Sequence, residues 1–247
     1  MTLILVPPHN PILGYRETYR KLVAVGCASD RPALMVANWQ DVGAVLGGAT
    51  TFLGALQQCC DLFLLPSFTP QTCLAPNTET ALLDVEFWQP DLPADPALGP
   101  LPELARQLPT VRRSDHPCLS FLGVGVRAAA ALATQSLADP YAPLRWLAEH
   151  DGLLLLLGVT PAECIVSSYA AQRAGHPSGS TFAMLPGKIV PVTGLATEFH
   201  WTDLTNHLNY LTRSVPYGGT TLSSYPLCKF ILAVETAYHQ QVGISQR

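Results

Sequence analysis

Gly152-Leu153-Leu154-Leu155-Leu156-Leu157-Gly158 decides the fold. Five leucines between two glycines offer no polar face and are shorter than an ordinary helix, so they read as a strand covered on both sides at the centre of a sheet. Upstream, Pro32-Ala33-Leu34-Met35-Val36 reads as a short buried strand. After Gly43, Gly47 and Gly48, the stretch Ala49 to Leu56 reads as a helix, and Leu62-Phe63-Leu64-Leu65 as the next strand. Strand, glycine turn, helix, strand is a βαβ unit with a parallel pair. Downstream, Pro161 to Arg173 reads as a helix with proline in its first turn.

The rest of the chain fits around that core. Residues 1–14 are proline-punctuated and read as an extended arm. Tyr15 to Val25 reads as a helix stopped by Gly26. From Pro66 to Pro102 the chain is rich in Pro, Asp and Thr, as in a long surface excursion that walls a site, with Phe87 and Trp88 expected to pin it down. Short helices are expected over Glu103–Leu108, Val126–Ala133 and Pro143–His150, and a strand over Leu119–Val124. In the last third, Phe182 to Val192 reads as a hairpin turning at Pro186-Gly187, Trp201 to Thr212 as helical, and Pro226 to Gln241 as a long helix. The expected architecture is α/β: a central, mostly parallel sheet flanked by helices, with an antiparallel accessory part in the C-terminal third. Residues 1–247 form one domain in this reading.

A 247-residue chain with 48% apolar and 13% charged residues buries a substantial core. Its apolar runs are too short to span a membrane, and Pro7-Pro8 halts Leu3-Ile4-Leu5-Val6 before it makes a signal segment, so a cytoplasmic protein without a membrane role is expected. The seven cysteines include no C-x-x-C pair and no histidines at zinc spacing; they read as small core residues, with neither a disulfide framework nor a metal site. The net charge of −4 is unevenly spread. Between Arg31 and Arg106 there is no Lys or Arg, while Asp41, Asp61, Glu79, Asp84, Glu86, Asp91, Asp95 and Glu103 all fall there. An acidic wall of that kind repels nucleic acid and attracts a cationic ligand, with Asp91, Asp95 and Glu103 as candidate acceptor-binding residues; dispersed caps and turn residues are the plainer alternative.

The most concentrated chemistry lies at Arg112-Arg113-Ser114-Asp115-His116-Pro117, ahead of an apolar run ending at Gly123 and Gly125. The imidazole takes a proton near neutral pH, and guanidinium groups hold phosphate through paired hydrogen bonds. The pair Gly47-Gly48 starts a helix, whose free N–H groups favour an anion, although it fits neither the P-loop nor the dinucleotide fingerprint.

In order and spacing, these pieces resemble the aminoglycoside 3-N-acetyltransferase family. The match is carried by Leu34-Met35-Val36 with Gly47-Gly48-Ala49, by Leu65-Pro66-Ser67-Phe68-Thr69, and by Gly99-Pro100-Leu101-Pro102-Glu103. It continues through Arg113-Ser114-Asp115-His116-Pro117, Gly125, Pro143-Leu144 and Leu155-Leu156-Leu157-Gly158, so it covers roughly residues 30 to 170. The resemblance implies an N-acetyltransferase that moves the acetyl group of acetyl-CoA to an amine of an aminoglycoside or related aminated small molecule. It implies His116 as general base, Arg113, Ser114, Gly47 and Gly48 near the cofactor, and no metal. The expected partner is a small cationic amine acceptor, with a homodimer as an option.

Two departures stand out. Where the family carries histidine, two residues and glutamate on the helix after the central strand, this chain has Ser168-Tyr169-Ala170-Ala171; where the first strand ends in histidine and serines, it has Ala37-Asn38-Trp39. The imidazole then lacks a carboxylate orienter, for which Glu163, Asp115, Glu198 and Asp203 are candidates, and His176 is a candidate second imidazole. A weakened or inactive member that binds a ligand or partner is the alternative, and acyl transfer to an unrelated amine is a third reading.

Overall fold

The computed structural model describes residues 13–74, 85–196 and 199–245; residues 1–12 of the expected arm over 1–14, and Glu198, lie outside them. Helix α1 (Tyr15–Ala24) leads into β1 (Ala33–Ala37), α2 (Gly48–Cys59) and β2 (Leu62–Pro66), the βαβ unit expected from the sequence. A short β3 (Cys73–Leu74) precedes α3 (Pro100–Arg106), β4 (Val111–Arg113), β5 (Phe121–Gly125), α4 (Ala128–Leu132) and α5 (Ala142–Glu149). Then come β6 (Leu153–Leu157), α6 (Ile165–Arg173), the hairpin β7 (Ser178–Leu185) and β8 (Lys188–Ala196), and α7 (Leu204–Leu208). The edge hairpin β9 (Arg213–Tyr217) and β10 (Thr220–Pro226) and the long α8 (Leu227–Ser245) end the order.

Seven strands form one sheet in the order β4-β5-β2-β1-β6-β10-β9. The centre, β2-β1-β6, is parallel, with β1 registered to β6 from Ala33↔Leu153 to Ala37↔Leu157, and antiparallel strands extend the sheet on both sides. A second, three-stranded antiparallel sheet joins β3 to the β7–β8 hairpin.

The leucine run explains the layering. Leu154 and Leu156 pack into a core with α4 to α8, while Leu153, Leu155 and Leu157 pack into a second core with α1, α2 and α3. Alternate side chains of a strand face opposite ways, so an unbroken apolar strand requires helices on both faces. Each of the five leucines is at most 2% exposed. Burying one is worth roughly 2 kcal/mol. Helix α2 supplies its part of the second core from Ala49, Phe52, Leu53, Leu56 and Cys59, one face at helical spacing.

Several expectations change. Trp88 is buried but Phe87 is 47% exposed, so only the tryptophan pins the excursion. The helix expected from Pro161 begins at Ile165 after a 3-10 turn, and Trp201–Thr212 contains only the five-residue α7 and a 3-10 turn. Strands β4, β9 and β10 were not legible as strands; β9 holds Pro216, which an edge strand tolerates because its outward N–H is not needed. Cys73 and Cys118, 45 residues apart, are joined as a disulfide, against the expectation of free core thiols; Cys27, Cys59, Cys60 and Cys164 are free and buried, and Cys228 is exposed. Among the described residues no helix is long and apolar enough to cross a membrane.

Candidate active site

Because β1, β2 and β6 are parallel, their carboxyl ends emerge along one edge: Asn38 after β1, Ser67 after β2 and Gly158 after β6. In open α/β sheets that edge is where ligands bind. Helix α2 begins there. Its cap, Gly47, has φ 79°, Gly48 has φ 62°, and no side chain caps the first turn. A Cβ at Gly47 would run into the Thr51 hydroxyl, which itself donates to the Leu46 carbonyl at 2.6 Å. The Gly48 amide donates to the Val45 carbonyl at 2.8 Å, so the glycine pair leaves the amides that follow it in the 12-residue helix open to an anion.

The Arg113–Pro117 motif reaches the same edge because β4 ends at Arg113 and β5 returns at Phe121, opposite Pro66. The intervening turn is stitched to the end of β2. The Ser67 amide donates to the Ser120 carbonyl at 2.9 Å, the Ser120 hydroxyl donates back to the Ser67 carbonyl at 2.6 Å, and the Thr69 amide donates to the Cys118 carbonyl at 3.1 Å. The Thr69 and Thr72 hydroxyls both reach the Pro117 carbonyl. Ser114, expected near the cofactor, is 4% exposed, and its oxygen accepts the Phe121 amide at 2.8 Å. It closes the turn.

His116 is 1% exposed. Its Nδ1 accepts the backbone amides of Cys118 at 3.2 Å and Leu119 at 2.9 Å, while its buried Nε2 has no hydrogen-bond partner. A nitrogen that accepts two N–H groups carries no proton, so in the neutral ring the hydrogen sits on Nε2. Burial pushes the imidazole down to about 4, against the opposing pull of its backbone hydrogen bonding and of Asp115. The ring is neutral at pH 7, and Nε2–H is a donor. In that tautomer Nε2 presents a hydrogen, whereas the general base expected from the sequence needs a lone pair facing the acceptor.

Among the described residues, none of the proposed orienters is bonded to His116. The Asp115 carboxylate accepts the Trp88 indole N–H at 2.8 Å. Glu163 caps its own turn at Thr160, which holds its carboxyl below the usual range. Asp203 accepts from Asn206. His176 lies against Phe199 and Tyr238. On α6, Ala171 is fully buried and Ser168 half-buried, so the position where the family carries glutamate holds no polar side chain.

Arg113 is also redirected. Its Nε donates to the Ser120 hydroxyl at 3.1 Å, Nη1 to the carbonyls of Pro90 and Leu92, and Nη2 to the Ser67 carbonyl at 2.7 Å; the guanidinium carbon sits 4.6 Å from the centre of the Trp88 ring. Burial, with the charge of Arg106, pulls its pKa down to about 10, so it stays protonated. With its N–H fork committed to protein acceptors, it clamps the 85–98 segment to the end of β2 and is not a spare phosphate ligand.

Glu79 and Asp84 lie outside the described residues, and among those described the acidic stretch does not form one wall. Glu103 pairs with Arg106 at 2.8 Å and accepts the Ala94 amide at 2.7 Å; Asp95 accepts the Ala97 amide at 2.9 Å as a cap. Asp61 lies at the other end of β2. Asp91 is exposed, beside Arg106, which donates to its carbonyl. Of the three candidate acceptor residues, Asp91 keeps a free carboxylate, and Arg106 and Arg113 neutralise the neighbourhood that looked unopposed in sequence. The sequence reading also passed over Ser67, Thr69 and Ser120. Their signal was a hydroxyl residue directly at the end of an apolar strand.

Comparison with known proteins bears on the family and the fold. The profile of the aminoglycoside 3-N-acetyltransferase family matches residues 34–213. Aminoglycoside N(3)-acetyltransferase VII of Streptomyces paromomycinus is 30% identical over 181 residues, which are 66% of this chain and 61% of that protein, so the chain spans about three fifths of that relative. An aminoglycoside acetyltransferase solved with CoASH superposes with TM-score 0.81 at 18% identity, over 93% of this chain and 97% of its own. Another, solved with sisomicin, gives 0.77 at 23% identity, over 93% and 98%. At these identities the solved structures establish the shared fold.

Proposed function

The chain belongs to the aminoglycoside 3-N-acetyltransferase family, and from that membership we propose that it transfers the acetyl group of acetyl-CoA to an amine of an aminoglycoside or closely related aminated small molecule. The observation that carries the reading is the family match over residues 34–213, which includes the glycine-started helix α2 and the Arg113–Pro117 turn at one sheet edge. The relatives solved with CoASH and with sisomicin support this donor and acceptor class. One domain over residues 1–247, acting in the compartment that supplies acetyl-CoA, completes the proposal.

The reaction asks for little covalent chemistry. The acceptor nitrogen, as free amine, forms a bond to the thioester carbon; the C–S bond breaks, the thiolate of CoA leaves, and the proton lost by nitrogen balances the thiol. Negative charge builds on the carbonyl oxygen meanwhile, and a preorganised donor at that oxygen accelerates the step. We assign that role to Nε2–H of His116, the ring hydrogen left without a partner. The turn opens around the bound thioester to admit it, since catalytic hydrogen bonds commonly tighten only in the complex. The free amides of the helix turn that Gly47-Gly48 open hold cofactor phosphate, Ser114 and Arg113 hold the turn and the wall, and Asp91, flanked by Asp95 and Glu103, draws the cationic acceptor.

Incubation with acetyl-CoA and an aminoglycoside, followed by mass spectrometry of the acceptor, tests the proposal. The expected product carries one added acetyl group on an amine; CoA release with the acceptor recovered unmodified would mean thioester hydrolysis and overturn it.

A further inference from the structure

One cavity among the described residues lies away from the carboxyl edge. It is an open cleft of about 880 Å3 at the other end of β2, between the last turn of α2 and the β4–β5 pair. Asp61, on its rim, and Ser67, at the carboxyl edge, stand at opposite ends of the strand, about 20 Å apart along it. Arg112 lines this cleft, although Arg113 next to it turns to the clamp, because successive side chains of β4 face opposite ways. Arg127 enters from the residues after β5.

The two guanidinium groups differ from most others in the chain. Arg31, Arg106, Arg145 and Arg173 each pair with a carboxylate, and Arg113 is held by protein acceptors. Among the described residues Arg112 has no hydrogen bond or ion pair, and Arg127 has one long contact, 3.5 Å, to the Asp30 carbonyl. Asp61 is the single acidic side chain lining the cleft and has no ion pair of its own. Behind the cleft, Phe63 and Val124 are paired across the strands and buried in the core. At Gly125, φ is 120° and a Cβ would overlap the Asp61 carbonyl, so the chain turns sharply here and brings Arg127 to the rim.

We propose that this cleft is a second small-molecule site, distinct from the acetyl-transfer edge, that takes a phosphate ester bearing hydroxyl or amino donors. Arg112 and Arg127 hold the phosphate with their planar N–H forks, and Asp61 accepts from the hydroxyl or amino groups. The volume lies within the range of small-molecule sites. The site stands independently of the activity proposed above, since none of its residues belongs to the Gly47-Gly48 start or the His116 turn.

Calorimetry on the full chain at low salt, with inorganic pyrophosphate, AMP and glucose 6-phosphate as probes and glucose as control, decides the matter. At least one phosphate probe binds and glucose does not. The affinity falls at least about tenfold in Arg112→Ala/Arg127→Ala, the size of a lost charged hydrogen bond. Asp61→Asn weakens glucose 6-phosphate or AMP but not pyrophosphate, and saturating CoA leaves binding unchanged. Both arginines are at the surface, so the double variant keeps its fold; should it not, Arg112→Lys and the salt dependence of the unaltered protein carry the same comparison. Absence of binding by all three phosphate probes, equal binding by the double variant, or displacement by CoA would each overturn the assignment.

Discussion

The guanidinium of Arg113 stacks on Trp88, whose indole N–H in turn donates to Asp115, two residues along from Arg113. Three side chains thereby lock the 85–98 segment onto the turn that carries His116. The guanidinium donates to Ser120, Pro90, Leu92 and Ser67, so its N–H fork is taken up in holding the lock together.

Arg113→Ala is therefore expected to cost stability before it costs cofactor binding. Removing a charged donor leaves the Ser67 and Leu92 carbonyls short of a partner, a loss of about 3 kcal/mol in urea unfolding. CoA affinity of the folded variant should remain within a few-fold of the parent; a large loss of CoA affinity with stability intact would return Arg113 to the cofactor.

His116 sets the acid limit of the fold. Its folded pKa of about 4 lies below the ordinary 6.5, so the neutral ring is favoured in the native state. Its stability contribution is full above pH 6.5 and is lost as pH falls through about 4, in total roughly 3 kcal/mol. The stability gap between the parent and His116→Asn, followed by urea melts from pH 8 to pH 4, should narrow across that window. A gap independent of pH would mean that the ring is not held neutral.

The same residue divides donor from base in catalysis. His116→Ala should lower turnover by about a hundredfold, as for loss of an oxyanion donor. The parent's turnover should rise with pH only through the amine of the acceptor. An inflection between pH 6 and 7 that disappears in His116→Ala would make His116 the base after all.

Restoring the family pair on α6 is not expected to help. Ala171 is fully buried, and glutamate there would overfill the site and bury a carboxylate, so Ser168→His/Ala171→Glu should lose about 1–3 kcal/mol or more and gain no turnover. Increased turnover with unchanged melting would show that the helix has room and that the lost pair limits this enzyme.

The Cys73–Cys118 bond ties β3 to the residue that donates to His116 Nδ1. Under oxidising conditions Cys118→Ser should cost roughly 2–4 kcal/mol, and with dithiothreitol the difference should shrink to that of the side-chain change alone. An equal difference with and without reductant would mean that the two sulfurs are thiols in solution.

What the sequence disclosed follows from how local each signal is. The leucine run and the glycine-punctuated βαβ unit carry their structure within a dozen residues, so β1, α2, β2 and β6 were legible. The β9–β10 hairpin was not, because Thr, Ser, Pro and Gly there look like loop until β6 supplies a partner. The role of Arg113 was hidden for the same reason: its acceptors lie 7 to 46 residues away. The tautomer of His116 depends on two amides only two and three residues on, but only the folded turn aims them at Nδ1.

Thiol release from acetyl-CoA, followed across a panel of aminoglycosides and simple diamines, tests the central claim most directly. The account predicts release that depends on the acceptor, is strongest with an aminoglycoside and falls in His116→Ala. Measurable CoA binding with no acceptor-dependent release from any member of the panel would contradict it and leave a family member that binds without acetylating.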